Sequence, residues 1–193
     1  MIGAIILAAG SSRRFGDDKR KARLPNGKML IEESLDQVLP NFRQVILTLR
    51  SGDIEFQNLL EARYDSEALK IHLAPDSALG MGHSLASSMT LVDNWVGAFV
   101  FLADMPNIKK ATINTLITAL DQDKIVLPRH GDRRGHPVGF GQDFFEQLAA
   151  LHGDTGARPV VGNNDSAVKE IDVNDPGVLQ DIDRRSDLPA STS

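Results

Sequence analysis

Seven small or apolar residues in succession, Gly97-Ala98-Phe99-Val100-Phe101-Leu102-Ala103, lead straight into Asp104. A run without polar alternation suits a strand covered on both faces, as in the middle of a parallel sheet. Such a strand needs helices above and below it, and the flanking sequence supplies amphipathic candidates. Shorter apolar runs at 4–8, 44–49, 69–73 and 124–127 read as further strands. Between them, a helical pattern passes through Leu30, Leu35, Val38 and Leu39 and stops at Pro40. Others are expected at 54–64, with Leu59 and Leu60 inward, at 83–91 and at 111–120.

Past Pro128 the pattern becomes irregular and rich in Gly, Arg and His, with helical stretches at 144–151 and 157–161 and a late strand at 167–173. Strand alternating with helix predicts a doubly wound, mostly parallel α/β sheet of Rossmann-like type. The chain is expected to form one domain over residues 1–188, with 189–193 a frayed tail lacking any large apolar anchor. In such sheets ligands bind beyond the carboxyl ends of the strands. The segments that follow strand ends are therefore the ones to search for chemistry.

Composition narrows the classes of function. The formal net charge of -5 and an aromatic content of 5% argue against a nucleic-acid binder, which would want a basic groove and stacking rings. There is no cysteine, which removes disulfides, thiolate metal sites and thiol nucleophiles. The apolar start of the chain is too short to span a bilayer and lacks a basic flank, so no membrane partner is expected and the cytoplasm is the expected compartment.

The segment after the first strand is Leu7-Ala8-Ala9-Gly10-Ser11-Ser12-Arg13-Arg14-Phe15-Gly16. Gly10 and Gly16 permit tight turns and close approach of a ligand. Backbone N–H groups and serine hydroxyls there can form an anion-binding nest, with Arg13 or Arg14 neutralising phosphate charge. On residues alone, a solvated polar turn is the competing reading. Neither a Gly-Lys-Ser/Thr phosphate loop nor a G-x-G-x-x-G fingerprint is present.

Leu-Ala-Ala-Gly-x-x-x-Arg-x-Gly at this position resembles the signature of the MobA-like nucleotidyltransferases of the molybdenum cofactor group. The resemblance implies a lysine that contacts the triphosphate, in a segment similar to K-x-L-L-P. Lys21-Ala22-Arg23-Leu24-Pro25 fits it, with Arg23 where an apolar residue is usual. Asp17-Asp18-Lys19-Arg20 lengthens the loop and makes Lys19 a rival for the phosphate role.

Three further segments extend the resemblance. Gly80-Met81-Gly82-His83-Ser84-Leu85 looks like the family's G-M-G-x-S-L, which implies that Gly80, Gly82 and Ser84 lie against the nucleotide. On residues alone it is a capped helix start. Leu102-Ala103-Asp104-Met105-Pro106 looks like L-x-D-x-P, which implies a metal-binding Asp104. An acid leaving a buried strand is costly unless solvated, hydrogen-bonded or metal-bound, and Mg²⁺ needs only one or two carboxylates beside phosphate oxygens and waters. Asp181-Ile182-Asp183 resembles the start of the family's D-I-D-T-P ending, with Arg184-Arg185 in place of Thr-Pro. Asp183 could be a second metal carboxylate or an ordinary cap.

Gly135-His136-Pro137 and Gly153-Asp154-Thr155-Gly156-Ala157-Arg158 resemble segments that line the acceptor side in the cytidylyltransferase branch. They imply acceptor contacts by His136, Pro137, Asp154, Thr155 and Gly156. The family likeness implies Mg²⁺-dependent transfer of a nucleoside monophosphate from a nucleoside triphosphate to a phosphorylated pterin, the molybdopterin acceptor. The chemical groups expected to carry it are Arg14, Lys21 and Asp104. Ala9 adds a methyl group where guanylyl enzymes usually carry glycine, and this favours CTP. A client molybdoenzyme is a further expected partner. Alternatives are guanylyl transfer, transfer to a sugar phosphate, and a non-catalytic carrier of molybdenum cofactor.

Overall fold

A computed structural model describes residues 1–193 other than 11, 13, 65, 66 and 190–193. Fourteen named strands and α-helices follow one another in largely alternating order. They are β1 (Ile2–Leu7), α1 (Leu30–Val38), β2 (Val45–Arg50), α2 (Ile54–Arg63), β3 (Leu69–Ala74), α3 (Met81–Met89) and β4 (Gly97–Leu102). The second half holds α4 (Lys110–Ala119), β5 (Ile125–His130), β6 (Arg133–Arg134), β7 (Val138–Gly141), α5 (Phe145–Ala149), α6 (Arg158–Asn163) and β8 (Val168–Asp172). No helix among the described residues is long and apolar enough to cross a membrane.

The strands form a single sheet in the order β3-β2-β1-β4-β7-β5-β6, with β8 also on β5. The first four run parallel, with Ile6 opposite Leu47 on one side and Phe101 on the other. The run that begins at Gly97 is β4, and both its faces are buried as its composition requires. Phe99 and Phe101 enter the core shared with α1, α2 and α4, while Ala98 and Val100 enter the one shared with α3, α5 and α6. Burying a Phe or Leu side chain contributes about 1.5–3 kcal/mol, so these two aliphatic layers carry most of the stabilisation.

Two expectations are corrected. Leu59 does not point inward: it is 41% exposed, and Phe56 and Leu60, one helical turn apart, form the buried stripe of α2. The stretch past Pro128 is not irregular, because Pro128 lies inside β5 and residues 133–141 return as β6 and β7, antiparallel to their neighbours. Gly139 hid this strand from a propensity reading. It is needed because a Cβ there would stand 2.5 Å from the Phe99 ring. The region expected as a tail is described only as far as Pro189.

The chain leaves β1 toward β2 and β3 and then returns to β4 on the other side of β1. That reversal opens a crevice at the carboxyl ends of β1 and β4. Leu7 pairs with Leu102 at the mouth, and the Ala103 N–H donates to the Leu7 carbonyl at 3.1 Å.

Candidate active site

A cavity of about 1000 Å³ occupies this crevice. Its floor is formed where three segments meet: the loop after β1, the exit of β4, and the stretch around Asp183. The last is tied to β4 by the Ile182 N–H, which donates to the Asp104 carbonyl at 2.9 Å.

Lys19 stands between the two acids on this floor. Its ammonium donates to Asp104 Oδ2 at 2.5 Å and to Asp183 Oδ1 at 3.1 Å. Burial pushes the Lys19 amine toward its neutral form, but Asp104 and then Asp183 outweigh it and raise its pKa. Asp183 is held below the usual carboxylate range, first by its hydrogen bond from Lys19 and then by Arg14, whose guanidinium lies 2.7 Å away. Two acids and two bases thus form one local, balanced network.

Two polar atoms beside the network stand out. Asp104 Oδ1 and Ser12 Oγ are buried and have no hydrogen-bond partner among the described residues. A buried acceptor without a partner costs about 1–3 kcal/mol, so both are suited to meet something bound in the cavity. Among the described residues, no group of three or more His, Asp or Glu side chains could cage a metal by itself. The donor set nevertheless fits a hard divalent cation: two converging carboxylates, one with a free buried oxygen, open to a cavity that can admit phosphate oxygens.

Of the residues singled out in the sequence, Leu7, Ala8, Ala9, Gly10, Ser12, Arg14, Lys19, Gly80, Ser84, Asp104, Asp154 and Asp183 line the cavity. Ser11 and Arg13 lie outside the described residues. The cavity lining does not include Lys21. Lys21 is exposed at the end of the 3₁₀ turn Lys19–Lys21, with its ammonium 4.8 Å from the centroid of the Phe56 ring. Gly16 also lies outside the lining, in a turn where it adopts φ +81°.

Gly82 and Gly156 lie outside the cavity lining and make close contacts within the protein. The Gly82 N–H donates to the Gly153 carbonyl at 2.8 Å, and a Cβ on Gly82 would stand 2.6 Å from the His152 carbonyl oxygen. Gly156, at φ +56°, packs beneath the Met81 sulfur. These contacts press the 152–156 loop onto the start of α3 and bring Asp154 to the cavity wall, where it accepts weakly from the Met81 N–H at 3.4 Å. Thr155 and Pro137 do not line the cavity.

His136 does not line the cavity either. Its backbone N–H is tied to the Val178 carbonyl at 2.9 Å, and its buried Nδ1 has no partner among the described residues. Burial lowers the His136 pKa, with the charge of Asp104 partly opposing it.

Sequence reasoning missed Arg20, Arg50 and Asp53. Arg50 and Asp53 flank the turn after β2, where the carboxyl-end rule applied to the second strand would have found them. The Arg50 guanidinium donates to the Gly10 carbonyl, through Nε at 3.1 Å and through Nη2. Arg20 is buried between Asp18 and Asp53. For both acids burial opposes ionisation, yet hydrogen bonds from Arg20 outweigh it and lower the pKa below 3.8.

A pH dependence follows. The unfolded chain takes up protons on these acids near 3.8, before the folded protein does. Their contribution to stability is complete above that pH and disappears as pH falls through the lower folded values. Urea unfolding should show Asp53→Asn less stable than the parent by a constant margin near neutrality. The margin should shrink in acid below about pH 3.8. A margin unchanged down to pH 2 would contradict the lowered values.

Residues 4–168 match the MobA-like NTP transferase domain. A probable molybdenum cofactor guanylyltransferase of Natranaerobius thermophilus is 31% identical over 130 residues, spanning 66% of this chain and 60% of that protein. The nicotine blue oxidoreductase of Paenarthrobacter nicotinovorans is 26% identical over 94% of this chain and 92% of its own length. Among solved structures, Rv0371c of Mycobacterium tuberculosis H37Rv superposes with a TM-score of 0.81 at 29% identity, covering 96% of this chain and 94% of that one. A manganese complex of the same mycobacterial protein superposes with a TM-score of 0.73 at 27% identity, over 89% of this chain and 88% of that one.

Proposed function

We propose, from the premise that this chain belongs to the MobA-like NTP transferase family, that it moves a nucleoside monophosphate from a nucleoside triphosphate to a phosphorylated pterin of the molybdenum cofactor class. The observation that carries this reading is the convergence of Lys19, Asp104 and Asp183 on one cavity floor beside a free carboxylate oxygen. Lysine and a carboxylate pair are groups that handle phosphate and a divalent cation. They favour transfer chemistry over the redox chemistry in the name of one relative.

In the reaction, an acceptor phosphate oxygen attacks the α-phosphorus and the bond from that phosphorus to the β-phosphate bridge breaks. Pyrophosphate leaves with the electron pair. An acceptor phosphate is already anionic at neutral pH, so no strong base is required. Catalysis then rests on orientation and on charge neutralisation. The loop after β1, with Ser12 and Arg14, borders the triphosphate, and Lys19 neutralises it. Asp104 and Asp183 would hold Mg²⁺, which supplies Lewis-acid neutralisation of phosphate charge when bound. A manganese complex of a structural relative supports a divalent ion here. Gly80 and Ser84 border the nucleoside, and Asp154 faces the acceptor.

CTP is the proposed donor. Ala9 lines the cavity, and its methyl group narrows the space for a purine. The relative named as a guanylyltransferase supplies the competing choice. Pyrophosphate release measured with CTP, GTP, ATP and UTP should favour CTP over GTP by at least about tenfold in kcat/KM, the scale of discrimination by one methyl group. Ala9→Gly should narrow that gap. A preference for GTP would overturn the cytidylyl reading and leave nucleotidyl transfer standing.

A further inference from the structure

Arg20 borders the cavity, yet is only 3% exposed. A guanidinium has five N–H groups, and here each is committed inside the protein. Nε donates to Asp18 Oδ1 at 2.7 Å, and Nη2 donates to Asp18 Oδ2 at 2.7 Å and to Asp53 Oδ1 at 3.0 Å. Nη1 donates to Asp53 Oδ2 at 2.5 Å and to the Ala8 carbonyl at 3.0 Å. The Phe56 ring covers the guanidinium with its centroid 5.0 Å away. No donor is left for a phosphate, so Arg20 is not a ligand clamp.

What it clamps is the protein itself. Ala8 is where β1 passes into the Gly10 loop. Asp18 caps the 3₁₀ turn that carries Lys19 and also accepts from the Arg20 N–H. Asp53 accepts from the Arg50 N–H at 2.9 Å, and Arg50 in turn holds the Gly10 carbonyl. One planar fork therefore joins three segments that border the cavity, and a second arginine closes the circuit. Two forked carboxylates fix the guanidinium in orientation as well as position. The charges balance as well, with Asp18 and Asp53 both acted on by Arg20 and Arg50.

We infer that Arg20 is the positioning residue of this site: it sets the Lys19 ammonium against Asp104 and Asp183 and holds the β1 loop against the end of β2. It acts through Lys19, its neighbour in the turn. This inference rests on the nucleotidyl-transfer reading for its kinetic consequence but not for its geometric one.

A double-mutant cycle tests it, with the parent protein, Arg20→Lys, Lys19→Ala and the double variant. Lysine keeps the charge and loses the fork. With Lys19 present, Arg20→Lys should lower kcat/KM for CTP roughly tenfold to a hundredfold, the usual scale for disturbing a supporting shell. In the Lys19→Ala background the same change should cost less than about twofold, because the effects of residues acting as one unit do not add. An equal loss in both backgrounds would show a merely structural role and overturn the inference. Should Arg20→Lys fail to fold, Asp53→Asn takes its place in the cycle, keeping the arginine and weakening one fork.

The crystal structure of the single variant gives a readout free of turnover. It should show the Lys19 ammonium displaced from Asp104, and an unmoved ammonium would overturn the inference. If the parent protein releases no pyrophosphate, the transfer reading fails on that result alone. The crystal structure then decides the positioning role.

Discussion

Asp104→Asn is expected to lower the turnover of pyrophosphate release by roughly 10³-fold, the scale seen when a central charge-stabilising group is removed from an active site. Asp104 follows a strand buried on both faces, with one oxygen held by Lys19 and the other without a partner among the described residues. The amide keeps the shape of the carboxylate and removes its charge, so the loss reads on metal and phosphate chemistry rather than on packing. The backbone carbonyl of residue 104 still accepts from the Ile182 N–H, which leaves the fold its anchor. Thermal unfolding should therefore shift little while Mn²⁺ binding to the protein weakens. Turnover within threefold of the parent would sink the assignment. Full delivery of molybdenum cofactor to a client enzyme by this variant, in a parent that shows no turnover, would favour a carrier over a transferase.

Lys19→Ala and Lys21→Ala are expected to separate sharply. The first should lower kcat/KM by about 10²-fold or more, and the second by less than about twofold. Lys19 reaches the cavity floor with its side chain only 15% exposed, whereas the Lys21 ammonium rests on the Phe56 ring at the surface. An exposed cation–π contact contributes about 0.5–1 kcal/mol to stability, so Lys21→Ala should show itself in a modest fall in thermal stability. Removing Lys19 also leaves Asp104 and Asp183 facing each other without their shared cation. Mn²⁺ binding to the nucleotide-free protein should then tighten even as turnover falls. Equal kinetic losses in both variants would contradict the placement of the two lysines.

Much of this architecture was legible in the chain because periodicity and burial are local signals. The unbroken apolar run ahead of Asp104 could only be satisfied as a doubly covered strand, and the alternation around it called for helices on both faces. The antiparallel return of the chain through β6 and β7 was not legible, since Gly139 and Gly141 answer to neighbours far away in sequence, the Phe99 ring and the Asp121 and Gln122 carbonyls. Leu59 was misplaced because α2 carries apolar residues on more than one face, and only packing decides which of them is covered.

The candidate site divides along the same line. The sequence by itself marked the loop after β1 as a candidate phosphate site and set an acid at the close of β4, since both readings start from residue type at a strand end. Which lysine faces the cavity was decided by tertiary structure. Three consecutive residues in a 3₁₀ turn point about 120° apart, so Lys19, Arg20 and Lys21 must take three different surroundings. The carboxylates of Asp104 and Asp183 take the first and those of Asp18 and Asp53 the second, while the Phe56 ring lies against both the second and the third. All but Asp18 come from distant parts of the chain, and no local pattern in the Lys-Arg-Lys run could have assigned them.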